Sequence, residues 1–278
     1  MTLKPGFHKM PDPQYFAHSA INNSILKIIQ EQSPAHGKDA MDNPSPSTPA
    51  QEFGSGLHAY FEDENHQAFH AAYYLNPEGN GATKAVKEAR AQAKQDNPGK
   101  KPISVKDFET IKGMAESLEA HPVTKHLVYT GDSEIVGLYT DQETGIECKV
   151  KYDLLRQDIA LALDWKSTTS GGASPATAPK NIFNFSYHQQ AAMYSDAFFQ
   201  ITGEKLKDWL FVFIEKIRPY AVGVYRLDDQ ALALGMRQYR AALRTYAECM
   251  ATGQWPGYSD RIESVSLPAW AFNKTDSE

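Results

Sequence analysis

Two aspartates and a lysine in mid-chain are the residues whose types and spacing could do chemistry. Asp164 and Lys166 stand two apart in LALDWKS, where an apolar run ends, and Asp153 stands eleven residues earlier in VKYDLL. Strand residues two apart face the same way. Asp164 and Lys166 therefore share one face, Leu163 and Trp165 the other, and Asp153 alternates onto the face of Lys149 and Lys151. If the two strands pair as a hairpin, Asp153 comes near Asp164. Two carboxylates that close repel unless a cation sits between them. Oxygen ligands of this kind suit Mg²⁺ or Mn²⁺ better than zinc. A lysine beside them orients a water or stabilises charge on a phosphate. The chemistry such a set supports is hydrolysis of a phosphodiester. Asp-x-Lys on a strand is also a common surface ion pair. Two features weigh against that reading. IALAL marks a strand buried on both faces, so its charges emerge at a sheet end, and the TTSGG that follows is a loop beside them.

The surrounding elements must place these residues. Residues 19–32 read as a first helix with Ser19 or Asn23 as cap and Ile25, Leu26, Ile28 and Ile29 as its apolar stripe. DNPSPSTPA (42–50) reads as a loop. A helix resumes near Gln51, the Ala-rich run from 82 makes a solvated helix, and Ser104 with Asp107 resembles a capping box before another helix to about Ala120. The texture then changes. Strands are expected at 133–140, 146–155 and 159–167, with DQETG as a hairpin turn. A helix follows from 181 to 202. A second hairpin covers 208–216 and 220–227, turning at Arg218-Pro219, and a last helix runs from 229 to 250. The order predicts an α/β fold: a mixed central sheet flanked by helices, plus an N-terminal helical region. One domain is expected over residues 1–278, with the helical part at about 1–125, the core at 126–252 and a tail at 253–278.

Composition narrows the classes. The chain has 278 residues, 41% apolar and 22% charged, with a net charge of −6. It is not a general polyanion binder, so any nucleic-acid site is a local basic groove on an acidic body. Lys149, Lys151 and Lys166 would supply that groove, with Lys180 and Arg218 adding to it. Two cysteines, Cys148 and Cys249, give neither a disulfide framework nor a CxxC pair. A reducing cytoplasm fits. No signal-peptide run opens the sequence and no stretch approaches a membrane span, so no membrane partner is expected.

The ordered set of Asp153, DWK and YHQQAAMYSDAF resembles the PD-(D/E)xK nuclease superfamily, and within it the RecE-type branch (exonuclease VIII), close to the RecB nuclease group. SPAH (33–36), FGSGLHAYF (53–61) and FVFIEKIRPYAVGVYRLD (211–228) resemble that branch too, so the likeness spans about residues 19–246. It implies a restriction-endonuclease-like core. It implies His58, Asp153, Asp164 and the Trp165 carbonyl as metal ligands, with Mg²⁺ as cofactor and Mn²⁺ as substitute. Lys166 matches the catalytic lysine. Gln190 and Tyr194 match a QxxxY motif that contacts a DNA phosphate. Glu134 is left outside the ligand set, as a residue behind it. Asp164 departs from the Glu of many members. The implied activity is exonucleolytic digestion of linear duplex DNA from the 5′ strand, leaving 3′ tails for recombination. The implied setting is a phage or prophage in a bacterial cytoplasm, with a single-strand annealing protein as partner and a closed homo-oligomer, a tetramer, around the DNA. The alternatives are a structure-specific endonuclease of the same superfamily and a non-catalytic DNA-binding or assembly module. Iron–sulfur relatives need four cysteines and are disfavoured.

Overall fold

A computed structural model describes residues 3–272; positions 1–2 and 273–278 of the expected domain lie outside the described residues. The strands are β1 (Gly6–Lys9), β2 (Tyr73–Leu75), β3 (Lys101–Ile103), β4 (Asp132–Thr140), β5 (Glu147–Arg156), β6 (Leu161–Thr168), β7 (Asp208–Glu215) and β8 (Val222–Arg226). The helices are α1 (Asp12–Ala17), α2 (Asn23–Glu31), α3 (Pro34–Asp42), α4 (Pro49–Phe61), α5 (Gln67–Ala72), α6 (Lys84–Asp96), α7 (Val105–Ala120), α8 (Ala178–Asn184), α9 (Tyr187–Thr202), α10 (Asp229–Thr252) and α11 (Ala269–Phe272). Six strands form one mixed sheet in the order β1-β4-β5-β6-β7-β8. Its pairs are antiparallel except β6–β7, which is parallel and needs the long crossover that α8 and α9 provide. β2 and β3 pair apart from it.

Both faces of the sheet are covered. Tyr152, Trp209, Phe211 and Phe213 pack on one side with Leu26 and Ile29 of α2, Ala191 and Phe198 of α9 and Tyr239 of α10. Leu163, Trp165, Val212 and Ile214 pack on the other with Leu57 and Phe61 of α4 and Ile111 and Met114 of α7. Helices drawn from the first 125 residues thus cover opposite faces. β6 lies in the middle, buried on both sides, as its unbroken apolar run requires.

Three boundaries differ from the sequence reading. α2 starts at Asn23 because Asn22, neither Ser19 nor Asn23, caps it, accepting from the Ile25 amide at 3.1 Å. The segment before it is held extended: Ile21 exchanges backbone hydrogen bonds with Glu147 (2.9 Å) and Lys149 (2.8 Å) alongside β5. The helix expected over 181–202 is two, because Ser186 adopts a left-handed φ of 54° and turns α8 into α9. The SPAH segment is itself a helix start: Ser33 caps α3 and Pro34 occupies its first turn, where a missing N–H costs nothing.

Candidate active site

The register of three strands builds the centre. Leu154 pairs with Leu163 and Leu155 with Ala162, so the next step along β5–β6 sets Asp153 across from Asp164. The ladder stops there. The Asp153 carboxylate accepts from the Trp165 amide at 2.8 Å in place of the next backbone partner. On the other side of β5, Ser133 pairs with Leu154 and Ile135 with Tyr152, which brackets Glu134 opposite Asp153. Glu134 has a φ of 50°, a backbone state that costs a non-glycine residue.

α4 supplies the fourth group. Its buried stripe of Leu57, Tyr60 and Phe61 packs on the sheet. That packing points His58 at the strand end, with Nδ1 3.2 Å from Glu134 Oε1 and 3.4 Å from Asp153 Oδ1. Ligand atoms of His58, Glu134 and Asp153 all lie within 4.8 Å of one another. Asp164 is 2% exposed. Its Oδ1 accepts from Gln190 Nε2 at 2.6 Å. Its Oδ2 lies 2.6 Å from the Lys166 ammonium, a buried ion pair. Lys166 donates to Gln190 Oε1 at 3.4 Å and lies 4.4 Å from the centre of the Tyr187 ring.

Burial and mutual charge set the protonation. Burial pushes Asp153 up to about 7, and Asp164 adds to this against the pull of His58 and Lys166. Burial alone would lower His58, but Asp153 and Glu134 hold it at about 9. Glu134 is opposed by burial, yet His58 and Lys151 bring it down to about 2. Lys166 resists burial because Asp164 keeps it charged, at about 12. An imidazolium therefore bridges two carboxyl groups, as a cation would. A divalent ion fits this set: an oxygen-rich donor group with one imidazole, its ligand atoms within 4.8 Å of one another.

The structure brings together His58, Asp153, Asp164, Lys166 and Gln190. Glu134, which the sequence reading left outside the ligand set, stands among them. The signal was available: the β4–β5 register puts it opposite Asp153. The Trp165 side chain stacks on Phe61 at 5.5 Å in the core. Three expectations need correction. Tyr194 shares the sheet-facing side of α9 with Gln190, as four-residue spacing requires. Its ring is buried 5.3 Å from both Tyr152 and Trp209, where no phosphate reaches it. Lys149 is 4% exposed, and its ammonium donates to the carbonyls of Tyr15 (2.7 Å) and His18 (2.6 Å). Lys151 is paired with Glu134 and, at 2.6 Å, with Asp12. Both charges are absorbed inside the fold, so neither lysine lines the DNA-facing groove assigned to it.

A cleft of about 700 Å³ opens over the centre, between α4, the end of β6 and the α8–α9 turn. His58, Lys166, Lys27, Lys216, Phe185 and Tyr187 line it, together with the hydroxyl-rich 167–170 run. Among the described residues, no aspartate or glutamate side chain is part of that lining. Lys27 and Lys216 were not foreseen. Lys216 follows β7 directly, and the parallel β6–β7 pairing carries it beside the end of β6.

A helix-covered mixed sheet with Asp153, Asp164 and Lys166 on adjacent strands, where the β5–β6 ladder stops, defines a PD-(D/E)xK nuclease-like fold. Residues 23–268 match the family described as a PDDEXK-like domain of unknown function (DUF3799), and the chain belongs to that family. A search of curated proteins found no match. A solved structure of a presumptive exonuclease from Eubacterium rectale superposes with a TM-score of 0.61 at 14% identity, covering 95% of this chain and 98% of its own; it supports the fold. A phage-related exonuclease from Haemophilus somnus 129PT aligns over 63% of this chain and 92% of its own at 15% identity, with a TM-score of 0.31, too loose to carry an argument.

Proposed function

We propose that the protein is a Mg²⁺-dependent exodeoxyribonuclease of the RecE type. It degrades linear double-stranded DNA from the 5′ strand and leaves 3′ single-stranded tails for recombination. One observation carries the reading: a cleft whose lining includes Lys27, Lys166 and Lys216 lies over a sunken group of carboxylates, histidine and lysine, on a protein of net charge −6. Phosphates are attracted to the cleft and metal ions to its floor. His58, Glu134, Asp153 and Asp164 would hold the ion, Mg²⁺ or Mn²⁺, with the Trp165 carbonyl. When bound, the ion polarises the scissile phosphate and acidifies a water. Lys166 stands in the cleft wall, charged, and neutralises charge that builds on the phosphate. Gln190 fixes both Asp164 and Lys166 and so sets their spacing. The Eubacterium rectale relative, described as a presumptive exonuclease, supports the choice of exonuclease. A closed homo-oligomer, a tetramer, would retain DNA that a −6 protein grips weakly, and a single-strand annealing protein would receive the tail. A phage or prophage product acting in a bacterial cytoplasm is the setting we infer.

The test mixes end-labelled linear duplex with a covalently closed circle of the same sequence in Mg²⁺. Loss of the linear species alone, abolished by EDTA, is expected. Equal loss of the circle would make the protein an endonuclease, and loss of neither would leave a binding module.

A further inference from the structure

Phe185 is an apolar residue on a polar wall. It sits in the turn between α8 and α9, is 53% exposed, and lines the cleft that holds Lys166. Its ring lies 5.5 Å from that of Tyr187, and the Tyr187 ring lies 4.4 Å from the Lys166 ammonium. Its backbone carbonyl accepts from Lys27 at 3.1 Å. The left-handed Ser186 that follows fixes the turn: its hydroxyl donates to Glu31 at 2.5 Å, tying it to α2. An aromatic face is thus held open to solvent, with Lys27, itself 3.9 Å from Glu31, beside it and the candidate metal group three contacts away through Tyr187 and Lys166. Phe183, two residues before it, is more exposed at 62% but lies outside the cleft lining and stacks on His188.

We propose that Phe185 is a stacking platform for a nucleobase, the base next to the phosphate held at the metal centre. Lysines flanking an exposed ring match the alternation of phosphate and base along one nucleic-acid strand. A duplex keeps its base faces stacked on one another, so the base that meets Phe185 belongs to an unpaired nucleotide. This rests on the nuclease reading above and adds the form of strand the cleft accepts. Phe185 then sets the register in which successive phosphates reach the centre.

The experiment uses short single strands and overhanging duplexes carrying 2-aminopurine at successive positions from the end, with Ca²⁺ in place of Mg²⁺ to hold the complex uncut. Stacking should quench the fluorescence at one position in wild type. Phe185→Leu should lose that quench and weaken binding by about fivefold or more. Phe185→Trp should restore both, and Phe183→Leu should change neither. An abasic site at the quenched position should bind wild type and Phe185→Leu alike, because the partner of the ring is gone. A quench that survives Phe185→Leu overturns the proposal, as does an equal loss in Phe183→Leu or a Phe185→Leu defect that persists on the abasic strand. Wild type that neither binds nor cuts DNA removes the nuclease reading instead. Wild type that cuts DNA without a position-specific quench removes only the platform.

Discussion

In the proposed centre, Lys166 and Asp164 have different tasks. Asp164→Ala removes a ligand and should abolish cleavage while weakening divalent-ion binding. Lys166→Ala spares the carboxylates, so the ion should still bind while the cleavage rate falls by on the order of a hundredfold or more; titration calorimetry with Mn²⁺ and single-turnover cleavage separate the two. The same residues give the metal-free protein a pH signature. His58 is raised from 6.5 to about 9, so its contribution is complete below pH 6.5 and is lost as pH climbs through 9. Asp153 is raised from 3.8 to about 7 by burial, and the folded state loses ground as pH rises across that window. Glu134 is lowered from 4.5 to about 2, so its contribution persists above pH 4.5 and fails only in acid. In EDTA the melting temperature should therefore fall from pH 5 to pH 9. Added divalent ion should raise it more at pH 9 than at pH 6, because a smaller fraction of His58 holds the proton with which the ion competes. A flat profile in EDTA would contradict the contacts between His58, Glu134 and Asp153. The sequence exposed Asp153, Asp164 and Lys166 because charges in an apolar strand are unusual, although Asp164 stands in the middle of β6 and not at a sheet end as expected. It hid the fates of Lys149 and Tyr194, because alternation fixes a side chain's face but not what already occupies that face.

At the scale of elements, the close crossing of α9 and α10 decides where Gln190 sits. A Cβ on Gly235 would fall 2.1 Å from the His188 carbonyl oxygen. Gly235→Ala should force the helices apart, costing about 1–3 kcal/mol. It should also reduce cleavage more than metal affinity, since α9 carries Gln190 and Tyr187 while α4 and the strands carry His58, Glu134 and Asp153. Chemical denaturation and Mn²⁺ titration of the variant test this. Strands β4 to β7 and helix α10 were legible from period and turn residues to within a few positions, as was the end of α9. β1 and the β2–β3 pair were not: three or four residues are too few to show a period. The α8–α9 break was also missed, because a serine in a left-handed turn leaves no mark in composition.

For the whole molecule, the contrast between an acidic body and a lysine-lined cleft predicts how DNA binding responds to salt. With Lys27, Lys166 and Lys216 as the cleft's cations, log K against log salt should have a slope of about −2 to −3, shallow for a DNA enzyme. A slope of about −8 or steeper would mean that a second basic surface, absent from this cleft, carries the DNA. The fold class was readable from the order of helices and strands. Which helices cover which face was not, because α2 and α4 both read as ordinary amphipathic segments and only the packed sheet assigns them to opposite sides.

Glu134 does not belong to the metal group alone. Its other oxygen holds Lys151, and Lys151 holds Asp12 at the start of α1, so a short wire of charges joins the metal group to the beginning of the chain. An ion that draws on Glu134 leaves Lys151 to Asp12 undivided, and the N-terminal strap should tighten. Limited proteolysis then becomes a remote gauge of occupancy: cutting ahead of Asp12 should slow when Mn²⁺ is added, and that protection should vanish in Lys151→Met, where the wire is cut but the four side chains proposed to hold the ion remain.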